Sequence, residues 1–92
     1  MEYYIVCFDI SNDRNRDKVC KLLSGVGERV QESVFEIALK NSADIPAFYQ
    51  TLLDWVDPTD NLRLYRLCQR CRDNTLVGSG TPPLRVPTLI LL

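Results

Sequence analysis

Hydrophobic and polar positions along the chain fall into runs of two different periods. From Tyr3 to Ile10 the order Tyr-Tyr-Ile-Val-Cys-Phe-Asp-Ile is almost continuously apolar and rich in aromatic and β-branched types, which predicts a central strand covered on both faces. Ser11-Asn12-Asp13 supplies turn and capping chemistry. From about Arg14 the apolar positions Val19, Leu22 and Leu23 recur at helical spacing as far as Gly25, a first helix. Gly25 and Gly27 bracket a tight exit, and Arg29 to Leu39 then alternates, with Phe35, Ile37 and Leu39 on one face and Val34, Glu36 and Ala38 on the other. Ile45, Phe48, Tyr49, Leu52, Leu53 and Val56 form one helical stripe, with Pro46 in the first turn and Pro58 as the stop. Alternation returns from Asn61 to Leu67, and a shorter strand is expected at Thr75 to Val77 before Gly78 and Gly80.

The expected domain is α+β, of order β-α-β-β-α-β. This is the split βαβ arrangement, an antiparallel four-stranded sheet with both helices on one face. Residues 1–78 are expected to form that domain and 79–92 a tail. The Gly/Pro-rich stretch from Gly78 to Pro87 reads as a hinge, and Thr-Leu-Ile-Leu-Leu at the end is too short to span a bilayer and too apolar to be left in water. It is expected to add a strand to a sheet edge, that of a partner subunit included.

Composition narrows the chemistry. At 92 residues and 46% hydrophobic content there is room for one core, and pairing with a second copy would add buried surface to so small a domain. With 11 basic and 12 acidic residues the net charge is -1, so nucleic-acid binding requires a local patch. The absence of histidine removes the usual base near neutral pH and every Ser-His or Cys-His nucleophile. Carboxylates and bound metal remain. No charged leader or long apolar segment opens the chain, and its four cysteines suit a cytoplasmic protein with reduced thiols. Cys68 and Cys71 have the spacing of half a zinc site, but Cys7 and Cys20 fall on a strand and a helix; neither structural zinc nor a redox motif is the expectation.

Asp9 interrupts the most apolar run in the chain, where a buried carboxylate without a partner would cost on the order of several kcal/mol. Two readings stand side by side. In one, Asp9 accepts hydrogen bonds from the backbone of Ser11 to Asp13 or pairs with an arginine. In the other it is a ligand for Mg²⁺ or Mn²⁺, doubled by a two-fold axis, with the ion activating water for phosphodiester hydrolysis. Asp13 suits a helix N-terminus. Candidate phosphate contacts are Arg14, Arg16 and Lys18 around the first helix, Arg29 after the glycine turn, and a second group comprising Arg63, Arg66, Arg70 and Arg72 with fewer acids nearby.

Three ordered segments carry a family resemblance: Tyr3 to Ser11, Gly27 to Glu36 (Gly-Glu-Arg-Val-Gln-Glu-Ser-Val-Phe-Glu), and Leu62 to Tyr65 (Leu-Arg-Leu-Tyr). On these the chain resembles the CRISPR-associated Cas-two family. The resemblance implies a ferredoxin-like fold, a two-fold homodimer and a divalent metal shared by the two Asp9 residues, with Ser11, Ser33 and Phe35 shaping the site. It also implies a role in CRISPR adaptation, as a metal-dependent endonuclease of single-stranded RNA or double-stranded DNA, or as the central dimer of a complex with the Cas-one integrase. Asn12 stands where many relatives carry a second acidic residue. A nuclease, a non-catalytic DNA-binding scaffold and a toxin-type ribonuclease are the functions to be separated.

Overall fold

The computed structural model describes residues 1–80. The expected C-terminal edge strand, and all of the 79–92 tail beyond Gly80, lie outside the described residues. The elements are β1 (Glu2–Asp9), α1 (Asp13–Ser24), β2 (Gly27–Gln31), β3 (Val34–Leu39), a 3-10 turn (Ser42–Asp44), α2 (Ile45–Leu53), β4 (Asn61–Leu67) and α3 (Gln69–Asp73). The four strands form one sheet of order β2-β3-β1-β4, and β1 is antiparallel to both its neighbours. α1 and α2 therefore each cross over between two strands that a third strand separates, which is the expected split βαβ topology.

Alternation decides which side chains face the helices. Val6 and Phe8 of β1, and Phe35 and Ile37 of β3, join Val19 and Leu23 of α1 and Leu52 of α2 in one buried cluster. Register sets Val6 opposite both Phe35 and Leu64, and Phe8 opposite Leu62, so the inward rows of three strands coincide. Phe8 and Phe35 stack at 6.1 Å between ring centroids. The opposite face carries Tyr3, Ile5, Cys7 and Asp9 of β1, Val34, Glu36 and Ala38 of β3, and Arg63, Tyr65 and Leu67 of β4. Neither α1 nor α2 covers it, so β1 is buried on one face only and half-buried along the other, where the apolar run predicted cover on both.

The alternating segment 29–39 is two strands. Gly27 begins β2, a bulge falls between Arg29 and Gln31, and the chain turns at Glu32 and Ser33 into β3. Gly27 lies opposite Ile37 so closely that a Cβ there would collide with the Glu36 carbonyl oxygen; the close approach of the two backbones requires glycine.

Two expected features are corrected. No strand forms at Thr75 to Val77. Instead α3 starts directly after β4: Cys68 is its N-cap, and the Asn74 and Thr75 side chains donate back to the carbonyls of Arg70 and Cys71, both at 2.8 Å. Those bonds commit the backbone after α3 to a helical exit. The second helix ends at Leu53, well before Pro58, where the N–H groups of Trp55 and Val56 bond to Leu52 and Leu53 in a tighter turn.

Candidate nucleic-acid and metal site at the open face

Asp9 is the last residue of β1 and is exposed. Its partner across the ladder is Asn61, and Cys7 faces Arg63. Asp9 and Cys7 share the open face with Asn61 and Arg63, and these four residues with Phe8 line a shallow depression. Two residues along an extended strand cover about 7 Å, which sets the spacing between the Asn61 and Arg63 positions. Arg63 donates to the Tyr65 hydroxyl at 3.0 Å. That bond, and the charge interaction with Tyr65, raise the guanidinium above its ordinary value. The Glu32–Ser33 turn borders the same end of β1, since the Ser33 carbonyl accepts from the Phe8 N–H at 3.1 Å.

Asp60, which sequence reasoning missed, performs the turn chemistry considered for Asp9. Its Oδ1 accepts from the Ser11 backbone N–H at 3.2 Å and from the Ser11 hydroxyl at 3.1 Å. Its Oδ2 accepts from the Asp57 N–H at 2.9 Å. The Asp57 N–H first, and then the Ser11 N–H, lower the Asp60 pKa below the usual aspartate range. This carboxylate ties the loop after β1 to the loop before β4. Asp9 has no hydrogen bond or ion pair to its carboxylate among the described residues. An acidic residue within Asp57-Pro58-Thr59-Asp60 was visible as turn chemistry; its partner, 49 positions earlier, depends on the β1–β4 register.

The remaining predicted residues separate. Arg16 donates to the Ile10 carbonyl at 3.0 Å and pairs with Asp13, so it secures the end of β1 onto α1. The cap of α1 is Asn12, whose side chain accepts from the Asn15 N–H at 2.9 Å, with Asp13 in the first turn. Arg29 donates to Cys20 Sγ at 3.0 Å and lies 5.3 Å over the Phe35 ring. With Arg14, Lys18 and Lys21 it lines a groove beside α1, apart from Asp9. Arg66 pairs with Glu2 at 2.8 Å, at the other end of β1. Arg70 and Arg72 belong to α3, and Arg72 lies 3.4 Å over the Tyr3 ring. Phe35 is fully buried, on the face opposite Asp9, and reaches the site only through Phe8. Among the described arginines, Arg63 alone lies beside Asp9 on the open face.

The donor set at Asp9 is a free carboxylate beside an amide, oxygen chemistry that suits Mg²⁺ or Mn²⁺ retaining most of its water. One chain offers no closed cage: among the described residues no three His, Cys, Asp or Glu side chains gather around a common point.

An antiparallel sheet of order β2-β3-β1-β4 with both main helices on one face, and a free aspartate ending its central strand on the other, defines a ferredoxin-like domain with a carboxylate site on its open face. The chain belongs to the CRISPR associated protein Cas2 family, whose family model matches residues 1–75. A relative from Chloroflexus aurantiacus, CRISPR-associated endoribonuclease Cas2 1, is 42% identical over 87 residues, covering 88% of this chain and 89% of its own. CRISPR-associated endoribonuclease Cas2 3 of Synechocystis sp. is 36% identical over 87 residues, covering 95% and 94%. Among solved structures, a chain of a partial Cas6-RT-Cas1–Cas2 complex superposes with a TM-score of 0.75 at 28% identity, covering 95% of both chains. Streptococcus pyogenes Cas2 superposes at 0.71 with 25% identity, covering 84% of this chain and 99% of that one. Among the described residues no helix is long and apolar enough to cross a membrane.

Proposed function

We propose that the protein serves CRISPR adaptation, the acquisition of new spacers in antiviral defence. It acts in the cytoplasm as a two-fold homodimer with metal-dependent endonuclease activity on single-stranded RNA or double-stranded DNA. The observation that carries this reading is Asp9, an exposed carboxylate without a side-chain partner among the described residues, beside Asn61 and Arg63 on the sheet face turned away from α1 and α2. The relatives named as endoribonucleases support the reaction class.

The open face supports the dimer. Ile5, Val34, Leu67 and Tyr65, the last 47% exposed, give it an apolar middle suited to an isologous contact. A two-fold axis near Asp9 would set two carboxylates together, and their repulsion favours a cation between them. Asp9 of each chain would hold Mg²⁺ or Mn²⁺; the bound ion would supply an activated water and offset charge on the phosphate. Arg63, steadied by Tyr65, orients a phosphate oxygen next to Asp9. The Asp60–Ser11 clamp keeps the loop after β1 clear of the carboxylate. Arg14 and Arg29, with Lys18 and Lys21, offer a second phosphate track along α1.

The test is to incubate pure protein with labelled single-stranded RNA and duplex DNA, with and without Mg²⁺ or Mn²⁺, alongside Asp9→Asn. Metal-dependent cutting lost in the variant, with both proteins eluting as dimers and Mn²⁺ binding by calorimetry weakened, is the expected result. Equal cutting by both would refute an Asp9 nuclease. A scaffold reading is favoured by the single candidate carboxylate per chain and by the solved Cas1–Cas2 complex. In that case Asp9→Asn leaves duplex binding and assembly with the Cas-one integrase unchanged.

A further inference from the structure

Cys68 and Cys71 take no part in the site at Asp9. The strand β4 ends at Leu67, Cys68 takes an extended backbone conformation as the N-cap of α3, and Cys71 follows in the first turn. That change of conformation brings the two Sγ atoms to 3.3 Å, with both residues exposed. The Cys71 N–H also donates to Cys68 Sγ at 3.4 Å. Cys7 and Cys20 differ: both are half-buried, and Cys20 Sγ is occupied as an acceptor for Arg29. Spacing alone did not distinguish Cys68 and Cys71 from incidental surface thiols; the convergence of their sulfurs does.

We propose that Cys68 and Cys71 form a redox-active dithiol, a modification site that closes to an intrachain disulfide by exchange with small-molecule disulfides such as oxidised glutathione. The two sulfurs have unequal roles. The Cys71 N–H, and then the Cys71 thiol, favour the thiolate of Cys68 and lower its pKa, while Cys71, hydrogen-bonded to Cys68, is raised. Cys68 is the attacking thiolate and Cys71 the resolving thiol. Cys68 displaces one glutathione thiolate and forms a mixed disulfide with the other half. Cys71 then loses its proton to solvent and attacks Cys68 Sγ, forming the Cys68–Cys71 bond and releasing the second glutathione thiolate. The protein gives up two electrons and two protons, and one glutathione disulfide becomes two thiols. The product joins the end of β4 to the first turn of α3, the helix that carries Arg72 over Tyr3 on the open face. In a reducing compartment the pair stays open until the thiol pool is oxidised, as expected of a sensing disulfide rather than a structural one.

The test uses the reduced full chain in glutathione buffers of increasing oxidised fraction, quenched with acid, alkylated, and read by intact and peptide mass. The expected product has lost two hydrogens, carries the Cys68–Cys71 link, and keeps Cys7 and Cys20 alkylatable. Cys71→Ser should accumulate glutathione on Cys68, and the Cys71 left in Cys68→Ser should react roughly tenfold more slowly than Cys68 does. Both substitutions are at exposed positions, and unchanged thermal unfolding verifies the fold. The proposal is overturned by glutathione persisting on Cys68 of the wild type, by linkage between chains, by Cys7 or Cys20 oxidising first, or by equal rates in the two serine variants.

Discussion

Two aspartates near one another in the fold take opposite roles because of what surrounds their oxygens. Asp60 accepts three hydrogen bonds from two loops; Asp9 accepts none among the described residues. The depressed pKa of Asp60 has a definite sign. Its folded value lies below the unfolded one, so the stability it contributes is present above the ordinary aspartate pKa and is lost as pH falls through the lower folded value. Asp60→Ala is therefore expected to lower the thermal midpoint at neutral pH. The gap between wild type and variant should close as pH falls below about 4. Melting curves of both proteins across pH check this, and a gap that widens toward acid would exclude the clamp.

Among the elements, β2 is the most dependent on a single residue. It is short, exposed beyond its first residue and interrupted by a bulge, so its pairing with β3 rests on the close approach at Gly27. Gly27→Ala should cost about 2 kcal/mol in urea unfolding, because the added Cβ meets backbone that cannot rotate away. The helices are held differently. α1 buries Val19 and Leu23, whereas α2 fully buries Leu52 alone. Leu23→Ala and Leu52→Ala should each cost roughly 3 kcal/mol, and in α2 that loss removes the main anchor, so native-state hydrogen exchange should accelerate there ahead of α1.

For the whole molecule, the open face of the sheet decides between monomer and dimer. Ile5 lies in its centre, opposite Glu36 and Tyr65, and is already half-exposed in the single chain. Ile5→Glu should therefore leave the fold intact while shifting elution from dimer to monomer, with metal-dependent cleavage falling at least about tenfold if Asp9 works in pairs. A dimer that survives this substitution would move the contact to another surface. Sedimentation against protein concentration distinguishes the cases.

The periods of the hydrophobic pattern were enough to place β1, both main helices, the inward row of β3 and the strand at β4. Burial of apolar rows at period 2 or 3.6 is a local property that a one-dimensional pattern carries. The same pattern exposed Asp9 as an anomaly, because a charge in an apolar strand is conspicuous in any fold. What the pattern could not carry was pairing between distant segments. The bulge and turn that divide 29–39, the capture of Ser11 by Asp60, and the pairing of Arg29 with Cys20 and of Arg66 with Glu2 all depend on which distant segments are neighbours and in what register. Residues 75–77 read as a strand by composition, yet hydrogen bonds from Asn74 and Thr75 to the preceding turn outweigh that propensity. The sequence by itself therefore determined the fold class, the family resemblance and the candidate carboxylate. The tertiary structure alone decided which polar groups remain unengaged, because a hydrogen-bonding group is free or satisfied only with respect to its neighbours in space.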